Sequence, residues 1–117
     1  MLIRIKNLRL RAIIGVNEWE RRDKQDVVIN VEIEFDGDRA ARSDDLSETV
    51  DYKSITKQII REVESSSFRL LERLAHHVLE IVMDHEEVLR ARVEIDKPQA
   101  LRFADSVSVV CERRRGN

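Results

Sequence analysis

Alternation of apolar and polar residues along positions 26–35 constrains the fold of this chain more than any other feature. One parity of this segment holds only apolar residues, which are Val27, Ile29, Val31, Ile33 and Phe35. A period of two places successive side chains on opposite faces, so the pattern predicts a β-strand with one buried face. Residues 2–14 alternate as well, but the phase slips near Lys6 and Asn7, which predicts a β-bulge in a long first strand. Gly15 is expected to end that strand, and the two strands are expected to pair as a hairpin.

The middle of the chain has helical spacing instead. Ile55, Ile59 and Val63 recur every four residues, which predicts a helix over 53–64. A second apolar stripe predicts a helix over about 68–85, and the serines at 65–67 are expected to cap it. A further short helix is expected at 39–42.

Alternation returns over residues 89–96 and 106–112, which predicts two more strands. The last residues, R-R-R-G-N at 113–117, are predicted to form a frayed and solvated tail. The order β-β-α-α-β-β indicates an α+β fold, with a mainly antiparallel sheet covered by helices on one face. The other face and the sheet edges are left open, which favours assembly with other subunits.

Composition narrows the function classes. A chain of 117 residues is the size of one domain, predicted to span 1–117. The formal net charge of −2 gives no reason to expect a nucleic-acid partner. Cys111 is the single cysteine, so no intrachain disulfide forms, which fits a cytoplasmic protein. No apolar run approaches the ~20 residues of a membrane span, and charges interrupt the N-terminal segment where a signal peptide would be apolar.

The spacing of the three histidines argues against a metal centre. His76 and His77 are adjacent and His85 follows eight residues after His77, so no pair has the i, i+4 spacing of a helical zinc site. Cys111 lies on an apolar strand face and is predicted to pack as a small hydrophobic residue. Glycine-rich phosphate loops are also absent from the sequence. We therefore expect neither a metal nor a cofactor.

Four polar residues stand near the ends of predicted elements: Glu20, Tyr52, Glu72 and Lys97. Taken singly, each is explained by solvation of a charge or by packing of an amphipathic ring. Composition and spacing therefore lead no further than an α+β domain that assembles into oligomers.

Four segments in this order carry a resemblance: I-G-V-N-E-W-E (14–20), S-D-D-L-S-E-T-V-D-Y (43–52), F-R-L-L-E-R-L-A (68–75) and D-K-P (96–98). Together they resemble the dihydroneopterin aldolase family, and the resemblance extends over about residues 2–112. It implies the tunnelling fold, in which four β-β-α-α-β-β subunits close a barrel and two such rings stack as an octamer.

The family has two close branches, and they differ in what happens to one side-chain carbon of the pterin. The aldolase releases glycolaldehyde from 7,8-dihydroneopterin in folate synthesis. The 2′-epimerase inverts C2′ of dihydroneopterin triphosphate and leads toward tetrahydromonapterin. The segments at 3–11, 25–31 and 94–108, including A-L-R-F at 100–103, are more similar to the epimerase, whereas Pro98 is typical of the aldolase.

The resemblance also implies residue roles in a site between neighbouring subunits. The Glu72 carboxylate would anchor the pterin by accepting hydrogen bonds from the 2-amino and N3 groups of the ring, and Leu71 would lie beside the ring. Tyr52 would cover the ring and relay a proton. Lys97 would be the catalytic lysine, acting as a base through water or as an orienting ammonium, and Glu20 its acidic partner.

The implied chemistry is a retro-aldol cleavage that needs neither a metal nor a Schiff base. A triphosphate tail would hold the released aldehyde for re-addition, which requires cations near the site. Arg102, with Lys6 and either Arg9 or Arg11, is predicted to contact these phosphates. The alternatives are an aldolase of folate synthesis and a non-catalytic pterin-binding protein.

Overall fold

A computed structural model describes residues 1–116. Four antiparallel strands form one sheet in the order β1-β2-β3-β4. The elements in chain order are β1 (Leu2–Ala12), β2 (Gln25–Phe35), α1 (Asp38–Ser43), α2 (Tyr52–Glu64), α3 (Leu71–Met83), β3 (Val88–Pro98) and β4 (Ser106–Arg114). Two 3₁₀ turns, Trp19–Arg21 and Leu46–Glu48, lie in the connections. The predicted β-β-α-α-β-β order and the α+β class are confirmed.

The phase slip in β1 is a bulge. The pairing of β1 with β2 shifts register between Ile5 and Leu8, and Asn7 has a φ of 52°. The side-chain oxygen of Asn30 accepts a hydrogen bond of 2.9 Å from the Asn7 backbone N–H, which occupies a donor that the bulge removes from the ladder. Beyond the bulge, β1 ends at Ala12 rather than at residue 14.

The helices α2 and α3 pack on one face of the sheet. The predicted stripe of α2 is buried at Ile55, Ile59 and Val63, and the alternating apolar residues of β2 face it across the core. Truncating a core side chain such as Ile59 to Ala would cost about 2–5 kcal/mol. The apolar core therefore lies on the face of the sheet that the helices cover, and polar residues occupy the other face.

The helix-free face carries an ion network. Arg90 lies at its centre and forms ion pairs with Glu32 (3.1 Å), Glu34 (3.3 Å) and Glu112 (2.8 Å). These carboxylates come from the neighbouring strands β2 and β4, so Arg90 joins three strands on the face that the helices leave uncovered.

The predicted start of α3 is wrong. The helix begins at Leu71, and its N-cap residue Leu70 makes no side-chain capping bond. The preceding serines serve α2 instead: Ser65 Oγ donates to the Arg61 carbonyl at 2.9 Å and Ser66 Oγ to the Val63 carbonyl at 2.6 Å. They satisfy carbonyls at the end of one helix, so they do not cap the next. At its other end α3 stops at Met83, two residues before the predicted boundary.

The prediction of a frayed C-terminal tail is also wrong for its arginines. Strand β4 continues to Arg114, which forms an ion pair with Glu34. The Arg115 guanidinium donates to the backbone carbonyls of Met83, His85 and Val88, where α3 turns into β3. A guanidinium presents several N–H donors, so one side chain bonds to the last residue of α3, to the turn after it and to the first residue of β3. Asn117 lies outside the described residues.

Candidate active site

The pair Glu20 and Lys97 lies at the end of the sheet where β2 begins. Lys97 Nζ donates to Glu20 Oε2 at 2.5 Å. Glu20, in the 3₁₀ turn after β1, is 5% exposed and is the one charged residue that is buried within residues 1–116. Lys97 reaches it from the end of β3, 77 positions away in sequence. A buried carboxylate requires partners of this kind, because desolvation without them is costly.

Three further donors hold the Glu20 carboxylate. The backbone N–H and the side-chain Nδ2 of Asn17 donate to Oε1 at 3.2 and 2.9 Å. Gln25 Nε2 donates to Oε2 at 3.0 Å and also to the Ile14 carbonyl at 2.8 Å. Burial alone would raise the pKa of Glu20, but the hydrogen bonds from Lys97, Gln25 and Asn17 outweigh it and lower this pKa to about 2. Glu20 is therefore an anion at neutral pH.

Gly15 makes room for this carboxylate. Its φ is +128°, and a Cβ at this position would lie 2.2 Å from Glu20 Cδ. The backbone conformation and the close approach both require glycine here.

Arg21 ties the Glu20 turn to the segment before α3. Its guanidinium donates to the carbonyls of Gly15, Ser67 and Phe68, and the Gly15 N–H also donates to the Phe68 carbonyl. The turn that carries Glu20 is thereby fixed against the loop that leads to Leu71 and Glu72. Leu71 is buried, whereas Glu72 lies in the first helical turn with an exposed side chain. A carboxylate at a helix N-terminus is favoured by the helix dipole and is free here to meet a ligand.

Tyr52 lies elsewhere. It is the first residue of α2, is 53% exposed, and lines a cavity of about 490 Å³ together with Leu46, Val50 and Lys57. The start of α2 is about 18 Å from its end, and the end leads into the segment beside Gly15. The residues just before Tyr52 line a cavity with Asp36 at the end of β2, about 33 Å along the strand from Gln25. One chain therefore brings Glu20 and Lys97 together but does not bring Tyr52 to them.

The residues expected to contact phosphate are scattered. Arg102 is exposed in the connection between β3 and β4, and its guanidinium carbon lies 5.9 Å from the centre of the Phe103 ring. Lys6 and Arg9 are exposed on β1 on either side of the bulge. Arg11 Nη2 donates to the Lys24 carbonyl at 2.8 Å, close to the start of β2.

The histidines and the cysteine are occupied by other contacts. His77 Nε2 lies 2.8 Å from Glu62 and His76 Nε2 3.1 Å from Glu80. Burial raises the pKa of the half-buried Cys111 thiol, which disfavours a nucleophilic thiolate. Within residues 1–116, no group of three His, Cys, Asp or Glu side chains is arranged to hold a metal ion. In the same part of the chain, every helix is too short or too polar to cross a membrane.

Sequence reasoning missed Asn17 and Gln25. Both contact Glu20 through a folded turn, and neither carries a pattern that separates it from an ordinary loop or strand-end residue.

Comparison with known proteins shows which family this chain matches. The family model described as dihydroneopterin aldolase (FolB) matches residues 3–112. Dihydroneopterin triphosphate 2′-epimerase of Escherichia coli K12 is 49% identical over 114 residues, which cover 97% of this chain and 95% of the relative. Dihydroneopterin aldolase of the same organism is 32% identical over 112 residues, covering 96% and 92%.

A solved structure agrees with both. The crystal structure of E. coli dihydroneopterin aldolase in complex with neopterin has a TM-score of 0.92 and 32% identity, and the match covers 97% of this chain and 98% of that one. The antiparallel sheet with its two main helices is therefore the tunnelling fold of these enzymes. By sequence and by structure, the chain belongs to the dihydroneopterin aldolase family.

Proposed function

We propose that the protein inverts C2′ of 7,8-dihydroneopterin triphosphate to give dihydromonapterin triphosphate. The observation that carries this proposal is the 49% identity to the epimerase over nearly the whole chain, against 32% to the aldolase from the same organism. Both kinds of enzyme need a group that moves protons beside the pterin. The contact between Lys97 and the buried Glu20 carboxylate supports such a role.

Binding of the pterin is assigned to the start of α3 and to Tyr52. Glu72 would accept hydrogen bonds from the pterin 2-amino and N3 groups, with Leu71 beside the ring. Its exposed carboxylate at the helix start supports this role. Tyr52 would cover the ring from a neighbouring subunit. The neopterin bound to the E. coli aldolase supports a pterin as the ligand.

The chemistry is a retro-aldol step and its reversal. Lys97 Nζ donates to the Glu20 carboxylate, and in this step Lys97 would donate a proton to N5 of the substrate's N5=C6 imine. The 2′-hydroxyl returns a proton to Lys97 through a water molecule and becomes a carbonyl. The C1′–C2′ bond breaks, and its electron pair forms the C1′=C6 double bond. The products are an enamine-like pterin and glycolaldehyde triphosphate. Re-addition of C1′ to the other face of the aldehyde reverses every transfer and inverts C2′.

The alternative activity is that of an aldolase. In that reaction C1′ takes up a proton, N5 loses one, and the aldehyde leaves as the second product. Pro98, directly after Lys97, favours this alternative because the aldolase branch carries proline there. A protein that binds pterin without turning it over is the third candidate.

Assembly is part of the proposal. Because Tyr52 and Lys97 lie at opposite ends of one chain, a complete site needs residues from two copies. Strands β1 and β4 each pair on one side only among the described strands, so a further copy can extend the sheet at either edge. We propose a ring of four such single-domain chains, stacked in pairs as an octamer and working in the cytoplasm.

The decisive experiment incubates the purified protein with 7,8-dihydroneopterin triphosphate without added metal. After oxidation and dephosphorylation, chromatography separates neopterin, monapterin and 6-hydroxymethylpterin. Monapterin as the main product supports the epimerase. If 6-hydroxymethylpterin dominates, and the unphosphorylated substrate reacts faster, the aldolase replaces it. Binding without either product favours the non-catalytic protein.

A further inference from the structure

We infer that a cavity beside the Glu20–Lys97 pair is the subsite for the substrate's triphosphate, an inference that rests on the proposed function. The cavity has a volume of about 270 Å³. Its lining includes Arg11, Lys24, Gln25, Asp26 and Pro98. We call it the Lys24 cavity.

The Lys24 cavity lies next to the Glu20–Lys97 pair. Gln25 lines the cavity and donates to Glu20 Oε2 at 3.0 Å, and Pro98 directly follows Lys97. In the substrate, C3′ and one oxygen separate C2′ from the first phosphorus. A C2′ that is within reach of Lys97 therefore places the first phosphate close to the lysine, at the mouth of this cavity.

The charges of the Lys24 cavity suit an anion. Arg11 is oriented by its bond to the Lys24 carbonyl, and its Nε lies 3.4 Å from Asp26 Oδ1. The guanidinium thus offsets the one carboxylate of the lining and keeps donors for a ligand. Lys24 is exposed and forms no ion pair with any residue of 1–116, so it adds a second positive charge to the lining.

The other cations fit this role less well. Lys6 lines a different cavity with Asn30 and Glu94, and it is about 17 Å along β1 from Arg11. Arg21 donates hydrogen bonds to three backbone carbonyls and does not line the Lys24 cavity. Arg102 is turned toward the Phe103 ring. The inference therefore retains Arg11 from the sequence-based candidates and adds Lys24, which sequence alone did not single out.

Binding of the phosphates would also favour epimerisation over release of the aldehyde. While both ends of the substrate are bound, the released aldehyde stays at high effective concentration and re-adds. Weakening one phosphate contact should raise KM for the triphosphate and let more aldehyde escape, so that the share of 6-hydroxymethylpterin rises. The unphosphorylated substrate makes no such contact and should be unaffected.

The test uses the full-length protein and Trp19, which is the single tryptophan and lines the Lys24 cavity. Inorganic triphosphate is titrated while Trp19 fluorescence is followed. Lys24→Gln should weaken binding about tenfold, as expected for loss of one charge-assisted hydrogen bond. Arg22→Gln is the matched control, because it removes the same charge two positions away from an exposed residue outside the lining.

A larger effect of Lys24→Gln than of Arg22→Gln, both on this titration and on KM for the triphosphate substrate, supports the subsite. Equal effects of the two variants, or none, overturn it in favour of general surface electrostatics. The proposed function has a separate outcome. If the unmodified protein produces no monapterin but Lys24→Gln still loses triphosphate binding, the function is wrong and a polyphosphate site stands.

Discussion

The two ends of the sheet differ in how complete they are. At the end where β2 begins, Glu20 and Lys97 are fixed within one chain by Asn17, Gln25 and the glycine at position 15. At the other end Tyr52 is exposed at the start of α2, with no partner from the catalytic pair. Under the proposed function, proton transfer would be organised inside a subunit, whereas the cover over the substrate would depend on assembly. Four measurements test that distinction.

The largest effect is expected for Lys97→Ala. Removing the group proposed to protonate N5 and to receive the 2′-hydroxyl proton should lower kcat by about 10²–10⁴-fold, as expected for a general acid–base residue. KM should change little, since Glu72 rather than Lys97 is assigned the pterin contacts. The measurement is monapterin formation by chromatography, with the far-UV circular dichroism and oligomeric state checked in parallel. A kcat within a few-fold of the unmodified protein would remove Lys97 from the mechanism.

Mixing inactive variants tests which end supplies which residue. Tyr52→Ala and Lys97→Ala subunits, refolded together in equal amounts, should recover up to about a quarter of the native activity, because each intact site takes one residue from each of two copies. Glu20→Ala mixed with Lys97→Ala is the matched control. These two residues meet within one chain, so that mixture should stay inactive. Recovery in both mixtures, or in neither, would contradict the division between the two ends.

The catalytic end should tolerate less change in its backbone than the rest of the chain. In Gly15→Ala the new methyl would overlap a carboxylate that four donors hold, at a φ that alanine adopts poorly, so the free energy of unfolding should fall by about 3 kcal/mol or more. Gly37→Ala is the control. Its Cβ would meet the Met1 side chain, which is 65% exposed and can move aside. Urea denaturation of both variants measures the difference, and similar losses would mean that the Glu20 turn is not specially constrained.

The sequence alone predicted the strands well because their signal is local. Alternation located β2, and the phase slip in β1 located the bulge at Asn7. The errors came from side-chain hydrogen bonds to backbone carbonyls, which residue spacing alone does not reveal. Ser65 and Ser66 were expected to cap α3 but donate hydrogen bonds to carbonyls of α2. Arg115 was expected to lie in a frayed tail but donates to the carbonyl of Met83, the last residue of α3.

The candidate site shows the same limit. Glu20 and Lys97 are separated by 77 positions, and no periodic pattern connects them. Only the resemblance to a family singled them out, and their direct contact is what the structure adds. Asn17 and Gln25 were missed because their importance lies in the donors they direct at Glu20, which depend on the path of a turn rather than on residue type.

The smallest effect concerns acid. The pKa of Glu20 is lowered to about 2 in the folded protein from an unfolded value of 4.5, by hydrogen bonds that outweigh the opposing effect of burial. A group with a lowered pKa stabilises the fold fully above its unfolded pKa and loses that contribution as pH falls toward the folded pKa. The free energy of unfolding should therefore decline by about 3 kcal/mol from this group between pH 5 and pH 2. Glu20→Gln should remove this part of the decline while leaving the acid response of exposed carboxylates in place.

Urea denaturation at stepped pH measures this decline in the free energy of unfolding, with Glu72→Gln as the control at the exposed carboxylate of α3. If the free energy of unfolding of Glu20→Gln falls in acid as much as that of the unmodified protein, the four hydrogen bonds to Glu20 do not add to the stability of this end of the sheet.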